Sequence, residues 1–120
     1  MKIFESNGKI NFVDDNNVLV GFDYSQCCCE SFGYALTREI PTGEVESDAP
    51  EIDPDGYQFD RNFFQEGNPE SQWDEGGRVT FRLEKDGASL FLTLYNSHNG
   101  YYGHGFEMTC GNERLHDGTL

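Results

Sequence analysis

Apolar residues in this chain recur at every second position in short runs, and turn-forming residues separate the runs. Residues 9–13 alternate in this way, Asp14-Asp15-Asn16-Asn17 follows as a turn, and residues 18–24 resume with Val18, Val20 and Phe22 on one face. Residues 32–40 alternate again, bringing Phe32, Tyr34 and Leu36 together. The clearest pattern comes later. Residues 77–84 and 88–95 predict a hairpin about Lys85-Asp86-Gly87, with Val79, Phe81 and Leu83 on one face and Leu90, Leu92 and Leu94 on the matching face. Residues 105–110 form a further strand, and Gly111-Asn112 turns it toward a short terminal strand near Arg114-Leu115. A helical period of useful length appears nowhere. About seven or eight short strands with frequent turns predict a mainly β domain, an antiparallel sandwich or a partly open barrel.

The middle of the chain breaks the pattern. Residues 39–75 hold twelve acidic residues against one base, Arg61, which is −11 of the total charge of −14. Pro41-Thr42-Gly43, Asp48-Ala49-Pro50 and Asp53-Pro54-Asp55-Gly56 are turn formers that cannot sustain a ladder. A strand or short amphipathic element is expected within residues 57–65, where Tyr57, Phe59, Phe63 and Phe64 need burial. The region reads as a long acidic loop inserted in one domain spanning residues 1–120.

Composition agrees with sheet. Ten Phe and six Tyr suit a pleated surface, and 120 residues suffice for one hydrophobic core. No stretch approaches the ~18 apolar residues of a membrane span, and the first residues lack the apolar core of a signal peptide, so the cytoplasm is the expected compartment. The charge opposes direct nucleic-acid binding, which needs cations facing phosphates, and it opposes anionic membranes. A basic protein surface is the partner it favours. Within the acidic loop the residues expected to face such a partner are Glu44, Glu46, Asp48, Glu51, Asp53 and Asp55. Their spacing lacks the calcium-loop pattern, and proline interrupts it twice.

Two segments carry candidate chemistry. Cys27, Cys28 and Cys29 are consecutive, so bridges among them are unfavourable, and in a chain without a secretory signal they read as thiols. Asn96-Ser97-His98-Asn99-Gly100-Tyr101-Tyr102-Gly103-His104 sets two imidazoles on either side of a glycine-rich turn. Thiolates from Cys28 and Cys29, with Cys27 beside them, together with His98 and His104 compose a donor set that zinc would take, although the paired C-x₂-C spacing of structural zinc sites is absent. Buried thiols and backbone-bonded imidazoles are the competing reading, and on it the protein needs no cofactor. Trp73, Tyr101 and Tyr102 offer a further alternative, a platform for stacking on a sugar. No nucleophile elbow, phosphate loop or HExxH helix is present, so binding is favoured over catalysis.

The Cys28-Cys29-Glu30 element and the later segment from Asn96 to His104 resemble a family of small uncharacterised domains of bacteria and their phages. The resemblance implies a small β domain of mobile-element origin, without established enzymatic activity, in which residues 28–30 and 96–104 lie close together. Together with the charge, it suggests an acidic interaction domain that inhibits a basic partner.

Overall fold

The computed structural model describes residues 1–24, 30–41, 52–67, 75–98 and 104–120. Two antiparallel sheets pack face to face as a sandwich that does not close into a barrel. The first sheet joins β1 (Lys2–Ser6), β2 (Lys9–Val13), β3 (Val18–Asp23), β9 (Gly105–Cys110) and β10 (Glu113–Thr119) in that order. The second runs β4 (Glu30–Thr37), β8 (Ala88–His98), β7 (Glu75–Lys85), and then β5 (Gln58–Phe59) and β6 (Gln65–Gly67), both paired to the same strand, β7. No helix among the described residues is long and apolar enough to cross a membrane.

Alternation puts the predicted faces inward. In the first sheet the register aligns Ile10, Phe22 and Phe106 in one row and Phe12, Val20 and Met108 in the next. In the second it aligns Tyr34, Leu94 and Val79, then Leu36, Leu92 and Phe81, then Leu90, Leu83 and Phe59. Phe12, Val20, Phe22, Phe81, Leu83, Leu90, Leu92, Leu94 and Met108 are wholly buried. Each such side chain contributes roughly 1.5–3 kcal/mol by leaving water, so these rows hold the sheets together. On the outer face of the second sheet, Thr80 and Thr93 are also buried, and their hydroxyls meet at 3.1 Å.

Tight turns set the registers. Asn7-Gly8 and Asp86-Gly87 both have positive φ at two consecutive residues (55° and 75°, 50° and 84°), the backbone of a two-residue hairpin whose twist matches the flanking strands. The β2–β3 turn is held differently. Asp14 is buried, and its Oδ1 accepts from the amides of Asn16 (2.9 Å) and Val18 (3.0 Å) while Oδ2 accepts from Phe59 (2.8 Å). One carboxylate therefore shapes a turn of the first sheet and ties it to the second.

The edge facing β10 is broken. β5 and β6 are collinear pieces along β7, and the residues between them leave the ladder so that Phe64 turns inward. Its ring stacks on His116 at 4.1 Å and lies 5.6 Å from Phe81 and 6.1 Å from Phe106. This aromatic group closes the seam between the two sheets. The element expected within residues 57–65 is thus an interrupted edge strand.

Candidate functional site

The topology gives the sandwich two unlike poles. At one, β3 and β8 end and β4 and β9 begin, so that Asp23, Glu30, His98 and His104 lie at the same end. The pairing of β4 with β8 sets Glu30 opposite His98. At the other pole lie the turns at residues 14–17, 86–87 and 111–112, the last tied to the first by the Gly111 amide on the Asn17 carbonyl at 3.1 Å.

At the crossover pole, His104 is a packing residue as much as a chemical one. It is buried, its ring stacked on Phe32 at 4.2 Å and lying 5.8 Å from Phe22. Its Nδ1 is 2.6 Å from the Asp23 carbonyl, a contact in which nitrogen must donate, so Nε2 takes the acceptor role in the neutral ring. Its backbone exchanges two 2.8 Å bonds with Leu120, whose carbonyl also accepts from the Asn96 amide at 3.0 Å. Tyr24 packs edge-on against Phe32 at 5.1 Å. Burial, followed by Tyr34, Tyr95 and Glu5, pushes the Tyr24 hydroxyl above its ordinary range, which keeps it protonated.

Of the expected metal ligands, Cys28 and Cys29 lie outside the described residues, as does Cys27, while His98 ends β8 and His104 precedes β9. Among the described residues no group of three or more His, Cys, Asp or Glu side chains is placed to hold an ion. Trp73, Tyr101 and Tyr102 also fall outside the described residues.

The turn pole is where the acidic region attaches. β4 ends at Thr37 at this pole, and the described chain resumes at residues 52–57 beside the tip of the β7–β8 hairpin. Glu44, Glu46, Asp48 and Glu51 lie outside the described residues; Asp53 and Asp55 lie within them, and both are exposed. Cations tie this return to the body through its backbone. The Met1 ammonium donates to the carbonyls of Pro54 (2.9 Å) and Tyr57 (3.0 Å), and Lys85 Nζ donates to that of Asp55 at 3.1 Å. Lys85 also sits 5.8 Å above the Tyr57 ring. Because these cations bind carbonyls, the carboxylates of Asp53 and Asp55 keep their charge turned to solvent. Asp53 Oδ1 only caps the turn, accepting from the Asp55 amide at 3.0 Å.

Acidic residues that the sequence reading did not single out join them. Asp15, at the β2–β3 turn, bonds Gln58 through Oδ2 at 3.3 Å, and Asp60, Glu84 and Asp86 lie on the adjoining β5 turn and hairpin. A cleft of about 400 Å³ opens beside them, lined by Asn16, Gln58, Asp60, Arg61, Asn62 and Glu84 among others. In it Arg61 donates to the half-buried Cys110 thiol at 3.3 Å. The signal for Asp15 and Asp86 was their place in turn motifs; only the pairing of the strands shows that those turns share a pole with the acidic loop.

No family model, no curated protein and no solved structure is similar to this chain.

Proposed function

We propose that this protein is an acidic interaction domain whose turn pole binds a basic protein surface. One observation carries the reading: Asp53 and Asp55, at a described end of the carboxylate-rich stretch, lie at the pole where the turns present Asp15 and Asp86. The Met1 ammonium and Lys85 bond to backbone carbonyls, and Arg82 pairs with Glu84 at 3.2 Å, which leaves the exposed Asp53 and Asp55 to attract a cationic partner. Glu44, Glu46, Asp48 and Glu51, which lie outside the described residues, add four carboxylates to the same stretch of sequence. In the setting implied by the resemblance to bacterial and phage domains, covering a partner's basic face would inhibit it.

The test uses a fluorescent lysine-rich peptide as probe and measures its anisotropy against the full chain. Affinity should fall steeply as salt rises above ~0.15 M, since exposed charges more than ~8 Å apart are screened there. It should fall further in the variant carrying Asp53→Asn and Asp55→Asn. Affinity indifferent to both changes would remove the turn pole from the interface.

A second reading is a zinc centre built from Cys28, Cys29, His98 and His104. It is supported by the His104 ring, whose Nδ1 donates to a carbonyl in the way that commonly orients a metal-bound imidazole. Elemental analysis of protein purified without chelator tests it. Stoichiometric zinc that disappears in Cys28→Ser would favour this reading over the first; metal-free, fully folded protein would end it.

A further inference from the structure

The two sheets have four edges, and three carry features that oppose pairing with another chain. β1 bears exposed charges at Lys2 and Glu5. β10 has a register irregularity between Arg114 and His116 and exposes Arg114 and Asp117. The third edge is broken between β5 and β6. β4 has none of these. Its eight residues run in unbroken register with β8; positions 31–37 hold no charge and no proline; and among the described residues no strand pairs with its outer edge. A long, continuous edge that is charged only at its first residue, Glu30, is a template for another strand.

We propose that β4 pairs antiparallel with β4 of a second copy, about a two-fold axis passing through Tyr34. The choice of occupant follows from the strand's own sequence. If the cores of both copies lie on one side of the joined sheet, residues directly opposite must share a face, so the axis must pass through a residue and not between two. With the axis at Tyr34, position 30 of each copy lies opposite position 38 of the other, and the sequence has Glu at the first and Arg at the second. Arg38 lies one residue past the end of β4, so extending the pairing by that residue brackets the joint with two opposite-charge pairs. Phe32 then opposes Leu36, and Ser31 opposes Thr37. Moving the axis to Gly33 or Ala35 loses both charge pairs, setting Glu30 opposite Leu36 or Ile40. This self-complementarity is specific to a second copy of the chain. The net charge of −14 on each copy opposes the union, so it strengthens as salt screens long-range repulsion. The inference does not rest on the acidic pole, since the joint runs along β4 and only Arg38 lies near that pole.

Sedimentation equilibrium of the full chain at ~0.15 M salt tests it with three variants, each first checked for an unchanged circular dichroism spectrum. Glu30→Lys sets two lysines against two arginines, and Arg38→Glu sets four carboxylates in two facing pairs. Each should raise the dimer dissociation constant by roughly tenfold or more. The double variant, Glu30→Lys with Arg38→Glu, restores opposite charges in reversed order and should recover the wild-type constant. Should Glu30→Lys fail to fold, Arg38→Glu gives the same reading from an exposed position outside the strand. Wild-type protein that stays monomeric overturns the proposal. So does a dimer that both single changes leave intact, or a double variant no tighter than the singles.

Discussion

Asp14 does more for this fold than its small side chain suggests. Its carboxylate receives three backbone amides, two from its own turn and one from β5 in the opposite sheet. Removing it leaves buried donors without partners, and each such loss costs about 1–3 kcal/mol. Asp14→Ala should therefore destabilise the protein by roughly 2–4 kcal/mol in urea unfolding, while Asp14→Asn, which keeps one acceptor oxygen, should cost less. A loss under ~0.5 kcal/mol for the alanine variant would mean that the cross-sheet tie contributes nothing. Tyr24 gives a test in pH. Its hydroxyl ionises above 10.0 in the folded protein, chiefly because of burial, and near 10.0 in the unfolded chain. The folded state therefore holds a proton that the unfolded state releases. Its stabilising effect is complete below that value and is lost as pH rises through the higher, folded pKa. Tyr24→Phe should flatten that alkaline decline in urea midpoints; an unchanged slope would assign the decline to other groups.

At the scale of elements, the strongest expectation concerned the β7–β8 hairpin, and there sequence and structure agree in detail. Leu92 is wholly buried in a row with Leu36 and Phe81, so Leu92→Ala should cost about 2–5 kcal/mol in the same unfolding assay. A cost below ~0.5 kcal/mol would place that face outside the core. Alternation made these faces readable, because a period of two fixes which side of a strand is buried. It did not reveal β1. Ile3 and Phe4 are adjacent and so break the alternation, yet Asn7-Gly8 is the strongest short hairpin signal in the chain and would have disclosed the strand. The broken edge was legible only as an apolar cluster, since Phe63 and Phe64 alternate with nothing. Phe64 is half-buried by turning across the seam, which depends on β10 lying opposite. The terminal strand proved longer than the two residues expected, running from Glu113 to Thr119, because its irregularity at Leu115 disturbs the pattern. The candidate site divides in the same way. Charge in residues 39–75 could be counted directly, whereas the gathering of Asp15 and Asp86 beside Asp53 and Asp55 depends on pairings between strands distant in sequence.

For the whole molecule, the arrangement separates two tasks. Tyr24, Phe32 and His104 pack together at the crossover pole, and the turns bearing Asp15, Asp53, Asp55 and Asp86 occupy the other. A protein this acidic is attracted to any cation, so the question that matters is whether location or mere net charge governs recognition. Stopped-flow association with the lysine-rich peptide separates the two. One variant neutralises Asp53, Asp55 and Asp86 at the turn pole; its control neutralises Glu5, Glu107 and Asp117 on the first sheet, giving an identical net charge. If the pole is the binding surface, the first variant should associate about tenfold more slowly than wild type and the control should nearly match wild type. Equal slowing in both, or none in either, would contradict a binding surface at the turn pole.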